Sequence, residues 1–145
     1  MLENRPTHPS DLGAFQVQAN QASVAGWLSD ERWQGTLRRG PAWTMIWGGA
    51  VVAMGGIEVV AEGRAIAWSF VDDKMPVQAK IGCAKHAARM VRQAKWLGVW
   101  RVEAYCRPDF EPGKRLLAGL GFEREGLMRK YLPDQSDLEL WARVT

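Results

Sequence analysis

A basic helix that begins near Pro76 is the segment of this chain best suited to ligand chemistry. Its sequence, MPVQAKIGCAKHAARMV, covers residues 75–91 and opens with a proline. The first N–H groups of a helix have no intrahelical acceptor and carry the positive end of the helix dipole, so they can bind phosphate. Five small or cationic residues follow the proline as candidates for anion binding: Lys80, Gly82, Cys83, Ala84 and Lys85. Close packing of a helix on a sheet explains the small residues equally well.

The positive charge of the chain is concentrated around this helix. Residues 74–102 contain no acidic residue and seven basic ones: Lys74, Lys80, Lys85, Arg89, Arg92, Lys95 and Arg101. The rest of the chain is net acidic, because it holds all 16 acidic residues and only the other 12 of the 19 basic ones. Local positive charge attracts a phosphorylated cofactor, a nucleic acid or an acidic partner, although a solvated helix face is an equal alternative.

Several kinds of site and location are disfavoured by the sequence. Cys83 and Cys106 form no CxxC motif or Cys/His cluster, so we expect no metal site, and free thiols fit a reducing compartment. The first residues contain no apolar run, and no stretch approaches the roughly 20 apolar residues of a membrane-spanning helix. We therefore expect a cytoplasmic protein with one domain over residues 1–145.

The hydrophobic pattern predicts an α/β (α+β) fold that begins with helices and continues with an antiparallel meander. A helix capped by Ser10 and a second helical piece over 24–33 come first. Three strands follow in 42–47, 50–60 and 65–71. Gly48-Gly49 is expected to form a tight hairpin turn, and Gly55-Gly56 a bulge or a close approach of backbones.

The second half of the chain predicts a long helix, a strand, a short helix and two more strands. The long helix has an apolar stripe made of Val77, Ile81, Ala84, Ala88 and Val91, with His86 expected to face solvent. A helix between the third and fourth strands permits a right-handed parallel crossover. We therefore expect a mixed sheet of six to seven strands flanked by about four helices.

This order of elements, with LAGLGFEREGLMRKY over residues 117–131, resembles the GNAT superfamily of acyl-CoA N-acyltransferases. In that family a short helix ends in a Gly-Phe pair. A strand follows, and it often contains a Glu-Gly pair and an arginine. Leu120 to Gly126 match this ending, and the chain looks most like short GNAT-like proteins encoded by bacteriophages, some of which are virion components. A helix C-cap at Gly121 followed by a buried strand at Phe122 explains the pair without a function.

The resemblance implies acetyl-CoA as the cosubstrate, with its pyrophosphate on the start of the long helix. The family's signature there is Gln or Arg, two residues, Gly, one residue, then Gly or Ala. Gly82 and Ala84 match its second half, whereas Ala79 stands where Gln or Arg belongs. The thioester carbonyl is expected at backbone N–H groups near Phe70 and Val71, where the family's strands splay.

The same resemblance implies a general acid that this chain lacks at the usual positions. The family's tyrosine on the short helix is replaced by Leu117, and its asparagine after the parallel strand by Phe110. Tyr105 is our first candidate for the acid, ahead of Tyr131, and Cys106 is expected in the core. The strand carboxylates Glu58 and Glu103 are the candidate bases, although exposure at a sheet edge also explains a charged residue in a strand.

Three functions remain open on the sequence. The first is an N-acetyltransferase that transfers an acetyl group to an unknown amine by direct attack. The second is a catalytically inactive GNAT-like structural or interaction protein, such as a phage virion component. The third, nucleic-acid binding by the basic helix, ranks below both because no known motif accompanies it. We expect no membrane partner, and the eight tryptophans permit a homodimer interface.

Overall fold

One seven-stranded mixed sheet runs through the computed structural model, which describes residues 1–14 and 30–145. The strands are β1 (Leu2–Pro6), β2 (Ala42–Trp47), β3 (Ala50–Ala61), β4 (Arg64–Val71), β5 (Arg101–Cys106), β6 (Glu123–Met128) and β7 (Leu138–Val144). They are ordered β1-β2-β3-β4-β5-β7-β6 across the sheet. Only β4 and β5 pair in parallel, and every other neighbouring pair is antiparallel. The expected α+β fold with a meander and a parallel crossover is confirmed.

The helices connect the strands and cover both faces of the sheet. The α-helices are α1 (Asp30–Arg38), α2 (Val77–Gln93) and α3 (Glu111–Gly119), and the 3₁₀ helices are Pro9–Ala14 and Ala94–Leu97. Helix α2 joins β4 to β5 and therefore forms the predicted crossover. Within the described residues, no helix is long and apolar enough to cross a membrane.

The amino-terminal elements differ from the prediction. No strand was predicted before residue 10, but β1 pairs with β2 over its whole length. Ser10 lies in a 3₁₀ helix instead of capping an α-helix, and positions 15–29 lie outside the described residues. The second helical piece begins at Asp30 and continues to Arg38, beyond the predicted end. The short strand LENRP has no clear period-two pattern, so its pairing depends on the neighbouring strand.

The meander turns follow the glycines. Gly48 and Gly49 have φ angles of 58° and 80°, which confirms the predicted hairpin turn. The register shifts lie between Met45 and Ile46 and between Val59 and Ala61, so no bulge occurs at Gly55-Gly56. Gly56 instead permits a close approach, because a Cβ there would lie 2.7 Å from both the Pro41 carbonyl oxygen and the Trp68 ring.

Two hydrophobic layers hold the sheet between its helices. On the α2 side, the main cluster includes Val91, Val102, Phe122 and Trp141. On the α1 side, a smaller cluster joins Trp33, Met54 and Phe70. Trp33 contacts Phe70 edge-on at 6.2 Å, which is a favoured geometry for aromatic rings.

Helix α2 packs through a different face from the one predicted. Val77 and Ile81 are 66% and 54% exposed, whereas Ala79 is fully buried. The helix approaches β1 so closely that a Cβ on Gly82 would lie 2.5 Å from the Leu2 side chain. Small residues therefore set the buried face, and the larger apolar residues at the helix start lie outside it.

His86 was expected to face solvent, and that prediction was wrong. Its Nε2 atom is buried with no hydrogen-bond partner, and its ring lies edge-on to Trp43 at 5.8 Å. Burial, reinforced by the nearby Arg89 cation, lowers the pKa of His86. The imidazole is therefore part of the packing between α2 and β2.

Candidate active site at the β4–β5 gap

The parallel ladder between β4 and β5 ends early. Its register runs only from Arg64↔Arg101 to Ile66↔Glu103, although β4 continues to Val71 and β5 to Cys106. Backbone beyond the last pair is no longer joined across this seam, so a gap forms at the carboxyl ends of two parallel strands. Ligands of open α/β sheets bind at such positions. We call this region the β4–β5 gap.

The start of helix α2 follows the end of β4 and has no side-chain cap. Pro76 occupies the N-cap in extended backbone (φ −62°, ψ 152°), and no side chain bonds to the helix start. The first turn contains no acidic residue, and both Gln78 and Lys80 are exposed. Its N–H groups and positive dipole end therefore meet the physical requirements of an anion-binding site.

The predicted anion-binding residues further along α2 lie inside the helix. Gly82 packs under Leu2, and the Cys83 thiol lies 3.9 Å from the Met75 sulfur. Burial raises the pKa of Cys83 to about 11, so this thiol is protonated at neutral pH. Ala84 is half-buried, whereas Lys85 is exposed. The backbone N–H groups of residues 77–79, in the first turn, are therefore better suited to bind phosphate than residues 82–84.

Phe70 and Val71 lie at the end of β4, as expected, with side chains on opposite faces. Phe70 is 4% exposed and packs in the α1-side cluster. Val71 packs with Met75 and Ala79 on the α2 side. Both side chains serve the core, so only the backbone of these residues is suited to contact a ligand.

The candidate bases share one row of the sheet and are both ion-paired. Glu58 pairs with Ile66, which in turn pairs with Glu103, so the two carboxylates project from the same face. Glu103 is buried, accepts a hydrogen bond from Arg101 Nε at 3.0 Å and lies 3.7 Å from Arg64 Nε. Edge exposure does not explain Glu103, because β5 lies inside the sheet.

Glu58 is held by a cation from another element. It accepts a hydrogen bond from Arg39 at 2.5 Å, just beyond the end of α1. A carboxylate that accepts arginine hydrogen bonds has fewer lone pairs available for an incoming proton. Both oxygens of Glu103 face arginines, so a bridging water or a shift of an arginine is needed before it can act as a base, whereas Glu58 has one oxygen engaged.

Tyr105 follows Glu103 on the same face of β5. It is half-buried, and its ring lies 5.6 Å from the ring of Tyr131 in the β6–β7 connection. Burial, together with Tyr131 and the Glu103 charge, raises the pKa of Tyr105 well above its usual value. The phenol therefore keeps its proton through the neutral range, and the same shift makes it a weaker acid than a free tyrosine.

The two positions that depart from the GNAT pattern contribute packing only. Leu117 packs against the main core cluster, and the Phe110 ring lies against Gly113, where a Cβ would be 2.6 Å away. Cys106 is buried as predicted, its thiol lies 3.8 Å from the Phe110 carbonyl oxygen, and burial raises its pKa to about 11. Leu117 and Phe110 have no ionisable proton, and the Cys106 thiol is buried away from a ligand.

The sequence did not reveal the arginines that organise this face. Arg101 Nη2 donates to Glu125 at 2.6 Å while its Nε donates to Glu103, so it links β5 to β6. The alternation of Arg101, Glu103 and Tyr105 places the three on one face, which is a detectable signal. The partner on β6 depends on strand order, which that alternation does not give.

Acidic residues in the β6–β7 connection stabilise that loop itself. Asp134 accepts hydrogen bonds from the Ser136 backbone at 3.0 Å and from its hydroxyl at 2.5 Å. Asp137 accepts from the Lys130 backbone N–H at 2.8 Å. These internal bonds leave the two carboxylates less capacity to attract a cationic amine. Within the described part of the chain, no cluster of His, Cys, Asp or Glu could hold a metal ion.

Comparisons with solved structures identify the fold. No protein-family model matches the chain, and a comparison with curated sequences gave no match. A ribosomal-protein-alanine N-acetyltransferase from Brucella melitensis is 16% identical, with 99% of each chain covered and a TM-score of 0.76. The ribosomal-protein-S18-alanine N-acetyltransferase from Escherichia coli is 18% identical, with 99% of this chain and 94% of that chain covered and a TM-score of 0.72. The fold is that of the GNAT N-acetyltransferases.

A third solved structure with the GNAT fold was determined with a ligand. YncA from Salmonella typhimurium, solved with its cofactor acetyl-CoA, is 15% identical. The match covers 99% of this chain and 93% of that chain, with a TM-score of 0.76. The likeness extends over nearly the whole of both chains.

Proposed function

We propose that this protein is an N-acetyltransferase that transfers the acetyl group of acetyl-CoA to an amine by direct attack. The observation that carries the proposal is the early end of the β4–β5 ladder beside the uncapped start of α2. This arrangement provides a gap for a thioester and helix N–H groups for a pyrophosphate. The acetyl-CoA in the YncA structure supports this choice of cosubstrate for the GNAT fold.

The residues around the gap fit such a cosubstrate. The first turn of α2 has no acidic residue to repel phosphate, and Lys80 is exposed nearby. Acetyl-CoA supplies an activated thioester, and the chain supplies positioning and proton transfer. We expect the thioester carbonyl to approach the end of β4 near Phe70 and Val71, because this part of the strand lies beyond the last pair with β5.

Tyr105 is the proposed proton donor to the departing thiolate. Its raised pKa keeps the phenol protonated, and it lies past the last β4–β5 pair. Glu103 or Glu58 would remove the proton of the attacking amine through a water, since both are engaged with arginines. The free thiols of Cys83, which is half-buried, and Cys106, which is buried, support a reducing, cytoplasmic location.

The substitution Gln78→Glu tests the anion site without changing side-chain size. A negative charge in the first turn stabilises the helix dipole but repels a pyrophosphate. We expect acetyl-CoA, measured by isothermal titration, to bind about tenfold more weakly or worse, with the melting temperature equal or higher. Gln93→Glu is the matched control, because Gln93 is exposed at the other end of α2.

The result for each variant separates binding from folding. Gln93→Glu should bind acetyl-CoA like the wild type. Its free energy of unfolding should be slightly lower, because the new negative charge lies at the carboxyl end of the helix. Equal weakening in both variants would show that the charge acts nonspecifically. No heat and no thermal shift with acetyl-CoA in the wild type would overturn the proposal.

A structural or interaction protein with the GNAT fold and no catalysis is the second candidate. Leu117 and Phe110 occupy the positions of the family's usual proton-transfer residues, and both pack in the core. Such a protein, for example a phage virion component, would show neither saturable acetyl-CoA binding nor acetylation of a panel of amines. Saturable binding that Gln78→Glu removes would argue against it.

A further inference from the structure

The outward face of α2 carries cations that have no acidic partner. Five basic side chains along the helix and its 3₁₀ extension are exposed: Lys80, Lys85, Arg89, Arg92 and Lys95. None of them takes part in an ion pair among the described residues, although arginines on the sheet do. We call these five residues the basic face.

An exposed aromatic side chain continues this face. Trp96 follows Lys95 directly and is 78% exposed, which is unusual for tryptophan. The Lys95 ammonium lies 5.3 Å from the centre of the Trp96 ring. A flat ring beside a row of cations matches the way proteins bind single-stranded nucleic acid, with phosphates on the cations and a base stacked on the ring.

An anionic membrane fits these observations less well. Amphipathic helices bind membranes by burying their apolar side among lipid chains. In α2, Ala79 and Val91 are buried against the sheet. The exposed Val77 and Ile81 lie at the helix start, away from the part of the basic face that begins at Arg89. A membrane would therefore meet the cations from Arg89 onward without a continuous apolar side beside them.

We propose that the basic face and Trp96 bind the phosphodiester backbone of a single-stranded nucleic acid. The sequence ranked this function last for want of a motif, and it could not show that the cations lack acidic partners in the fold. Single-stranded DNA and RNA present the same phosphates and stacking bases, so the chemistry is shared. This inference does not rest on acetyl transfer, because the residues it uses from Arg89 onward lie away from the start of α2.

Fluorescence anisotropy with labelled homopolymers of about 20 nucleotides tests the proposal. We expect oligo(dT) or oligo(rU) to bind the full chain in low salt, and binding to weaken linearly as log salt rises. The triple variant Arg89→Gln/Arg92→Gln/Lys95→Gln should lower the salt slope by about 2, because about 0.7 counterions are released per contact on single strands. The relative affinity for the two homopolymers identifies which nucleic acid is preferred.

Two controls separate this surface from net charge and from folding. Arg38→Gln/Arg115→Gln/Arg129→Gln removes three exposed cations elsewhere and should leave the salt slope unchanged. Trp96→Ala should weaken binding about tenfold through lost stacking, and Trp96→Phe should restore most of it. Circular dichroism and melting curves confirm that each variant is folded.

Several outcomes would overturn the proposal. They are absence of binding to both homopolymers, equal losses in the two triple variants, and an affinity that does not fall with salt. Binding to vesicles containing phosphatidylserine with none to either homopolymer would assign the face to a lipid surface instead.

Discussion

Among the residues near the β4–β5 gap, Tyr105 is distinguished by a protonated side chain that is only half-buried. The Cys83 thiol packs against Met75, and Glu103 is engaged by two arginines. Tyr105 is half-buried on β5 beyond the last parallel pair, whereas the Cys106 thiol on the same strand is buried. Burial is the main cause of the raised pKa of Tyr105, so the same contacts that place the phenol also keep it protonated.

The substitution Tyr105→Phe tests this role. If the phenol protonates the leaving thiolate, its loss should lower kcat about 100-fold and leave the affinity for acetyl-CoA nearly unchanged. Because the pKa of Tyr105 is raised, the wild type should show no loss of activity from its ionisation below about pH 10. Steady-state rates across pH, with direct titration of acetyl-CoA, give both quantities.

Tyr131→Phe is the matched control, since Tyr131 is the only other tyrosine and is 49% exposed. We expect a change of less than about threefold in kcat, because removing its hydroxyl leaves the Tyr105 proton in place. Equal effects of the two substitutions would contradict the assignment of the acid to Tyr105.

Asp11 is a buried carboxylate whose charge supports the amino-terminal structure. Arg5 donates two hydrogen bonds to it, at 2.8 and 2.9 Å, and Thr44 donates another at 2.7 Å. The Arg5 hydrogen bonds, opposed by burial, bring the pKa of Asp11 down to about 2. The pKa of Asp11 is lower in the folded state than its unfolded value near 4. The ionised carboxylate therefore stabilises the fold above about pH 4, and this stability is lost as the pH falls toward 2.

Asp11→Asn should therefore destabilise the protein by about 2 kcal/mol at pH 7, and by progressively less below pH 4. Urea unfolding at several pH values measures the difference. Asp73→Asn changes an exposed carboxylate and should have no such effect. A constant difference between Asp11→Asn and wild type from pH 7 to pH 2 would show that the charge of Asp11 is not responsible.

Residues with reactive side chains can be recognised in the sequence more easily than the residues that contact them in the fold. Glu103 and Tyr105 were identified because a carboxylate and a phenol stand in a predicted strand. Their neighbours Arg64 and Tyr131 come from other strands or loops, and only the strand order brings them together. The burial of His86 was missed because its contact, Trp43, is far away in the chain.

At the scale of elements, the start of helix α2 can be predicted from the sequence, whereas the side of the helix that packs on the sheet cannot. Its start after Pro76 follows from proline chemistry, and the structure places Val77 first. Its buried face does not follow from hydrophobicity alone, because Ala79 and Gly82 allow a closer approach to the sheet than larger residues would. The side of α2 that packs against the sheet is therefore the side with the smaller residues.

The connection from α1 to β2 depends on a glycine that touches β3. A Cβ on Gly40 would lie 1.8 Å from the Ile57 carbonyl oxygen, which is rigid backbone. The neighbouring N–H groups of Ile57 and Val59 bond to the Pro41 and Arg39 carbonyls at 3.0 and 2.8 Å. Gly40 therefore lets this connection lie flat against the strand.

Gly40→Ala should lower the free energy of unfolding by about 3 kcal/mol, because the connection must move and both hydrogen bonds lengthen. A melting temperature lower by roughly 6–12 °C is expected for a chain of this size. Gly119→Ala at the end of α3 is the control, since a Cβ there meets nothing within 4 Å. A loss no larger than that of the control would show that the connection adapts freely.

At the scale of the whole molecule, the short β4–β5 ladder divides the sheet into two halves that α2 holds together. The first half of α2 packs, through Ala79, with Met45 and Val52 of the meander. Its second half packs, through Val91, in a cluster that holds Val102 and Trp141 of the other strands. The same cluster includes Ile57 and Ala65 of the meander. The order of periodic segments predicted the crossover itself, but the packing of α2 across both halves emerges only from the assembled sheet.

This arrangement predicts that the chain unfolds as one cooperative domain. Val91→Ala removes packing from the second half of α2 and should cost about 2 kcal/mol. If α2 couples the halves, the transitions followed by far-ultraviolet circular dichroism and by tryptophan fluorescence should shift together, as two-state unfolding requires. Fluorescence reports on both halves, because Trp33 lies over the meander and Trp141 lies in β7. Two separated transitions in Val91→Ala would show that the gap is a boundary between independently stable parts, and would remove the basis for a single domain over residues 1–145.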